Sequence, residues 1–151
     1  MSPPRTTNFA KYQTGNPIVR RLIGGFLNAV REEVTTLRPR SILDAGCGEG
    51  LSLRAVIEGR PVDYAAGVDM LADSVRFAAR QQPRAWFLRG DVTRLPFADK
   101  SFDVVMCCEV LEHLDDPGAA LRELRRVARR ALVLSVPHEP WFRVGSLVRG
   151  K

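Results

Sequence analysis

The stretch Ile42-Leu43-Asp44-Ala45-Gly46-Cys47-Gly48-Glu49-Gly50 sets three alternate glycines behind an apolar run and a carboxylate. Glycine tolerates positive φ and lets a ligand come close to the backbone, so Gly46, Gly48 and Gly50 read as a ligand-cradling turn. A dinucleotide fingerprint, G-x-G-x-x-G, would need its third glycine at Leu51 or Leu53, which demotes a nicotinamide-dependent oxidoreductase. A Walker phosphate loop would need G-K-S/T, which the turn lacks. Two further carboxylates close short apolar runs, Asp69 after Gly67-Val68 and Asp91 after Gly90. Glu109, Glu112 and His113 stand at i, i+3 and i+4, a spacing that on a helix brings side chains together. Two carboxylates and an imidazole suit Mg²⁺, Mn²⁺ or a similar divalent ion, which would lower the pKa of an acceptor hydroxyl. Without a metal, His113 or His138 is a candidate proton acceptor, and the third reading of the segment is packing and capping of a short helix. Cys107 and Cys108 end an apolar strand and read as core, with no neighbouring residue to activate a thiol.

Something must hold these residues at one place. Pro17, capped by Asn16, opens a helix whose apolar positions Val19, Leu22, Ile23, Phe26, Leu27, Val30, Val34 and Leu37 keep a 3.6-residue period. Strands follow at 41–45, 62–68, 86–88, 103–108 and 131–136, alternating with helices at 51–58, 71–82 and 117–130, and a helical turn at 109–114. The helix at 71–82 is expected to bury Leu71, Val75, Phe77 and Ala78. Alternation of this kind predicts an α/β, Rossmann-like open sheet of five parallel strands in the order 3-2-1-4-5, with helices on both faces. Ligands of such a sheet bind beyond the carboxyl ends of its strands, where the glycine turn and the later carboxylates all fall.

The phrase Asp44-Ala45-Gly46-Cys47-Gly48-Glu49-Gly50 resembles motif I of the class I S-adenosylmethionine-dependent methyltransferases. Further landmarks follow in order: Gly67-Val68-Asp69-Met70, Gly90-Asp91-Val92, and Leu95-Pro96-Phe97-Ala98-Asp99-Lys100-Ser101-Phe102-Asp103-Val104-Val105, a phrase typical of the small-molecule, type 11-like branch. The resemblance covers roughly residues 17–140. It implies methyl transfer from S-adenosylmethionine to a small organic acceptor, with cofactor contacts at Asp44, Ala45, Gly46, Cys47, Gly48, Asp69, Met70, Asp91, Val92 and Glu109. One carboxylate can accept from both ribose hydroxyls, a role suited to Asp69, while Asp91 suits the adenine amine and the Val92 amide a ring nitrogen. Asp44, or the carbonyls of Ala45 and Gly46, would receive the cationic α-amino group. Residues 107–113 resemble the E-x-x-E-H element of ubiquinone O-methyltransferases and small-RNA ribose methyltransferases, where it can hold a metal. That element favours an oxygen acceptor. Relatives usually add a sixth and an antiparallel seventh strand, and the residues after Val136 are too few for both, so an exposed fifth-strand edge and dimerisation there are expected.

The 151 residues, 45% hydrophobic and 26% charged, suit one globular domain, residues 17–151 behind an arm at 1–16. Three cysteines without a C-x-x-C pair argue against a disulfide framework or structural zinc. The opening residues lack a leader's apolar core, and no apolar run reaches the roughly 18 residues of a membrane span, so a cytoplasmic location is expected. The net charge of +6 comes from 20 Arg and 3 Lys against 17 acids. Arg122, Arg125, Arg126, Arg129 and Arg130 fall largely on one face of the helix expected at 117–130, either a solvated face or a contact for an anionic partner. The second choice invites RNA ribose methylation as an alternative function, beside a binding module without turnover. Phe9, Lys11, Tyr12 and Gln13 of the arm, with Trp141 and Phe142 of the tail, either line an acceptor pocket or staple the arm to the core.

Overall fold

The computed structural model describes residues 15–138 and 141–148, with side-chain detail through Ser135. The arm residues Phe9, Lys11, Tyr12 and Gln13 lie outside the described residues, as do the side chains of His138, Trp141 and Phe142. Helix α1 (Pro17–Thr36) opens on Asn16, whose Oδ1 accepts the Ile18 N–H at 2.9 Å, and Pro17 occupies the first turn, where no N–H is needed. It buries Phe26, Val30 and Val34. Then come β1 (Ser41–Ala45), α2 (Leu51–Ile57), β2 (Tyr64–Asp69), α3 (Ala72–Gln81), β3 (Trp86–Arg89) and β4 (Phe102–Cys108). A 3₁₀ turn (Leu111–His113), α4 (Pro117–Val127), β5 (Ala128–His138) and β6 (Trp141–Val148) complete the order.

The sheet runs β3-β2-β1-β4-β5-β6, with the first five strands parallel as expected and β6 antiparallel to β5. Alternation along β1 and β4 divides the core in two. Leu43, Ala45, Val105 and Cys107 face Leu124 and Val127 of α4, while Ile42, Val104 and Met106 face α1 and α2. Strands buried on both sides read as unbroken apolar runs, which is why β4 was plain in the sequence.

Three expectations need correction. The fifth strand does not end at Pro137 and does not form an exposed edge, because a sixth strand pairs along it from Ala131↔Val148 to His138↔Trp141. Pairing of β5 with β4 stops at Ser135, so the missing N–H of Pro137 falls where the strand has a neighbour on one side only. The last helix ends at Val127 rather than Arg130. Ala128 pairs with Phe102, Arg129 reaches Asp103 at 2.9 Å, and Arg130 reaches the Leu37 carbonyl at 2.9 Å. These long-range partners outweigh local helical preference. Leu71 is not on the buried side of α3: it precedes the helix and is 55% exposed.

Asp103 ties the entry of β1 to β4. Its Oδ2 accepts the backbone N–H groups of Arg40 (2.9 Å) and Ser41 (3.4 Å), and Oδ1 accepts Arg129 Nη1 at 2.9 Å. Burial works to raise its pKa, but the two N–H groups and the guanidinium together hold it below the usual carboxylate range. The stability this adds is present above the unfolded-state value of 3.8 and is lost as pH falls through the folded one. Asp103→Asn is expected to destabilise the protein at neutral pH by about 1–3 kcal/mol. In urea melts the deficit should shrink as pH falls below about 4, first as the unfolded carboxyl takes up its proton and then, at lower pH, as the native one does.

Candidate functional site

All five parallel strands release their following turns at the same end of the sheet, and there the glycine turn meets the tips of β2 and β4. Gly46, Gly48 and Gly50 have φ of +82°, +50° and +78°, conformations that an L side chain resists. At Gly46 there is no room either, since a Cβ would run into Val110. The turn is sewn to β2 by its own backbone: the N–H groups of Gly46 and Cys47 both donate to the Val68 carbonyl, at 2.7 and 3.0 Å. Asp69 adds a second stitch, accepting the Gly48 N–H on Oδ2 and the Leu71 N–H on Oδ1, each at 2.9 Å. A carboxylate offers about four acceptor positions, so two bonds leave capacity for a pair of ligand hydroxyls.

Beside the turn lies a shallow open cleft, walled by Phe26 of α1, Gly46 to Glu49, Leu51 and Ser52 of α2, and Cys108 and Glu109 at the tip of β4. Asp44 sits beneath it, 1% exposed. Its Oδ2 is buried without a hydrogen-bond partner among the described residues. Burial, then the neighbouring charge of Asp69, raise its pKa to about 7, against the pull of the Leu53 N–H. A buried carboxylate with an open acceptor position is a poor packing residue and a good receptor for a cation. The α-amino group of S-adenosylmethionine meets that requirement, so the residues present fit this cofactor.

Of the other expected contacts Cys47 lines the cleft, while Met70, Asp91, Val92 and Ala45 are not among its walls. Met70 follows Asp69 and is 58% exposed, which with Leu71 gives two apolar side chains able to cover a flat base. Asp91 is exposed and its Oδ1 accepts both the N–H and the hydroxyl of Thr93 at 2.8 Å, bonds that hold its pKa low. It therefore shapes its own turn as well as facing outward. The neighbouring Val92 is buried in the core below. Ala45 and Cys47 are buried too, with the Cys47 thiol pushed well up by burial and by Asp44 and Asp69.

The E-x-x-E-H segment does not assemble as a metal site. Convergence of Glu109, Glu112 and His113 requires an α-helix, whereas Glu109 adopts φ +55° and only three residues, Leu111–His113, follow as a 3₁₀ turn. His113 is largely exposed and meets Glu112 at 3.9 Å. Among the described residues no three His, Cys, Asp or Glu side chains come close enough to hold an ion. Glu109 nevertheless reaches the site. Its N–H donates to Ser135 Oγ at 2.9 Å, which anchors the strained residue on the lip of the cleft. His138 lies in β5 with its side chain outside the described residues. Cys107 is pushed up to about 12 by burial, and Cys108 is raised as well, so neither is a ready nucleophile.

The sequence reading missed five residues that wall the cleft: Phe26, Glu49, Leu51, Ser52 and Cys108. Glu49 is 4% exposed and accepts from Ser74 Oγ at 3.3 Å; its place inside the glycine motif was the available signal. Phe26 and Cys108 carried none, since both occupy ordinary apolar positions of their elements.

The arginines expected on one helical face are spread and engaged. Arg129 and Arg130 begin β5, at the end of the sheet opposite the cleft. Arg126 turns onto the loop after β3, donating to the carbonyls of Leu95 and Phe97 and pairing with Asp99 and Glu123. Arg122 meets Asp116 at 3.8 Å. Among the described residues no helix is long and apolar enough to cross a membrane.

Comparison with known proteins agrees with this geometry. The methyltransferase domain family matches residues 43–134. A demethylmenaquinone methyltransferase of Roseiflexus is 36% identical over 110 residues, which is 68% of this chain and 46% of that protein. An O-methyltransferase of Aspergillus nomiae is 31% identical over 113 residues, 71% of this chain and 50% of that one. The chain thus spans about half the length of these relatives. The magnesium protoporphyrin IX methyltransferase of Synechocystis, solved with bound S-adenosylmethionine, shares the fold at a TM-score of 0.75 and 20% identity, over 96% of this chain and 92% of that one. A family match that runs from β1 to β5 and takes in Asp44 and the glycine turn means that the chain belongs to the methyltransferase domain family and has the class I, S-adenosylmethionine-dependent methyltransferase fold.

Proposed function

We propose that the chain binds S-adenosylmethionine at the Gly46–Gly50 turn and transfers its methyl group to an oxygen of a small organic acceptor. The observation that carries the reading is the buried Oδ2 of Asp44, without a hydrogen-bond partner among the described residues, close to a cleft walled by Glu49 and Glu109. In this reading Asp44 receives the α-amino group, Asp69 the two ribose hydroxyls, and Asp91 with the Val92 amide the adenine edge. The cofactor supplies a methyl group already activated on a sulfonium. The chain's task is then to align the acceptor and keep water out, which is catalysis by proximity.

A hydroxyl acceptor must also lose its proton as its oxygen becomes the nucleophile. Glu109 supplies a carboxylate for that proton, held at the cleft lip by Ser135. The oxygen acceptor draws support from relatives named as O-methyltransferases, among them a malonyl-acyl carrier protein O-methyltransferase of Pseudescherichia vulneris, 35% identical over 92 residues. RNA ribose methylation draws less support, because Arg129 and Arg130 lie at the far end of the sheet from the cleft.

The reading is tested by calorimetry with S-adenosylhomocysteine, then by its release from S-adenosylmethionine over panels of hydroxyl, amine and thiol acceptors. Saturable binding with turnover in the hydroxyl panel is expected. Binding without turnover in any panel would reduce the chain to a cofactor-binding module, and a folded protein that takes up neither compound would remove the assignment.

Asp69→Ala is expected to weaken cofactor binding by about 1–3 kcal/mol, and to lower the melting temperature as well because Gly48 loses its acceptor. Since Asp44 titrates near 7, a cation should bind best once it is ionised. Affinity for S-adenosylhomocysteine should therefore fall as pH drops below about 7, and Asp44→Asn should flatten that dependence while weakening binding at pH 8. Glu109→Ala should keep the affinity and lose turnover toward hydroxyls. Activity should survive a chelator, since Glu109, Glu112 and His113 do not converge.

A further inference from the structure

A second cavity opens at the other end of the sheet. It measures about 280 Å³, room for a small organic molecule, and lies between the end of α1, the segment entering β1 and the segment entering β2. Its walls are mainly apolar, from Pro39, Ile42, Val56, Pro61 and Val62, and its charged members are Arg38, Arg40 and Arg60 with no carboxylate among them. Few polar groups on an apolar wall is the usual make-up of a pocket for an organic ligand.

The arginines are unequal. Arg40 is committed to Asp63, with Nη2 at 2.6 Å from its Oδ2. The guanidinium groups of Arg38 and Arg60 have neither a carboxylate nor a carbonyl partner among the described residues. Arg60 Nε is shut off from solvent and donates to nothing among them. A buried donor without an acceptor is costly, and the cost is larger on a charged group.

The plainest structural duty for cations here is to answer the carbonyl ends of α1 and α2. Other residues already do this. Arg130 Nη2 takes the Leu37 carbonyl at 2.9 Å, and Arg84 Nη2 takes the Arg60 carbonyl at 3.1 Å. Arg38 and Arg60 are left over, beside an apolar cavity.

We propose that this cavity binds a small organic oxyanion, a phosphate or carboxylate carried on an apolar body, with Arg38 and Arg60 taking the charged group. A guanidinium fork matches both oxyanions, and an acceptor beside Arg60 satisfies its buried Nε–H. The site is separate from the cofactor cleft, since β1 runs from the Arg38–Arg40 segment at one end to the glycine turn at the other. It therefore does not compete with S-adenosylhomocysteine, and it does not deliver the methyl acceptor.

The test is a titration of the full chain, labelled with ¹⁵N, following the arginine Nε–H resonances assigned with Arg38→Gln and Arg60→Gln. The probes are phenyl phosphate, benzoate and benzyl alcohol, with inorganic phosphate as competitor. A saturable shift of the Arg60 signal is expected with one or both anions and not with the alcohol, and the responding probe identifies the oxyanion. Arg60→Gln and Arg38→Gln should each weaken anion binding by about tenfold or more while leaving S-adenosylhomocysteine affinity unchanged. That second readout also verifies folding, and either variant suffices if the other fails it. No saturable shift with either anion, an equal response to the alcohol, or undiminished anion binding in a folded variant would each overturn the proposal.

Discussion

One side chain sets the geometry of the cofactor end. Asp69 closes β2 and holds the Gly48 N–H with one oxygen and the Leu71 N–H with the other, so two consecutive strand-end turns are positioned by one carboxylate. The parallel register Asp44↔Gly67 brings a second carboxylate beneath the same turn. Burial, and after it the charge of Asp69, raise the cost of ionising Asp44, whose Oδ2 lacks a partner among the described residues. An arrangement of this kind is unfavourable in an empty fold and favourable around a cation. The cleft is thus electrostatically matched to a positively charged ligand before any shape argument is made.

Parallel strands also polarise the molecule. Every turn that follows a parallel strand emerges at one end, and there the chain carries Asp44, Glu49, Asp69, Asp91 and Glu109. The opposite end gathers Arg38, Arg40 and Arg60 ahead of β1 and β2, with Arg129 and Arg130 at the start of β5. The acidic end suits a cationic cofactor, the basic end anions, and the two chemistries are kept apart by the length of the sheet.

Much of this was legible in the chain itself. Unbroken apolar runs such as Val104 to Cys107 announced buried strands, and Asn16-Pro17 announced a helix start, because burial and capping act over a few residues. The glycine turn was legible for a similar reason, since positive φ is a local demand. Segments governed by distant partners were not. Ala128 to Arg130 continue a helical pattern yet extend into β5, drawn by Phe102, Asp103 and Leu37. Glu109 to His113 keep helical spacing, yet Glu109 enters the left-handed region and its N–H goes to Ser135.

By itself, the sequence determined the class of fold, its five parallel strands and the glycine turn after the first of them. Those properties follow from periodicity and from residue types whose backbone preferences are intrinsic. Only the tertiary structure decided that Asp69 also braces the turn, that Glu109 reaches the cleft while Glu112 and His113 do not join it, and that β6 covers β5. It alone sent Arg126 to a loop and left Arg60 facing an apolar cavity without an acceptor. Each of these outcomes depends on groups brought together from distant points of the chain, and their competition for hydrogen bonds and charge is settled only when the sheet is assembled.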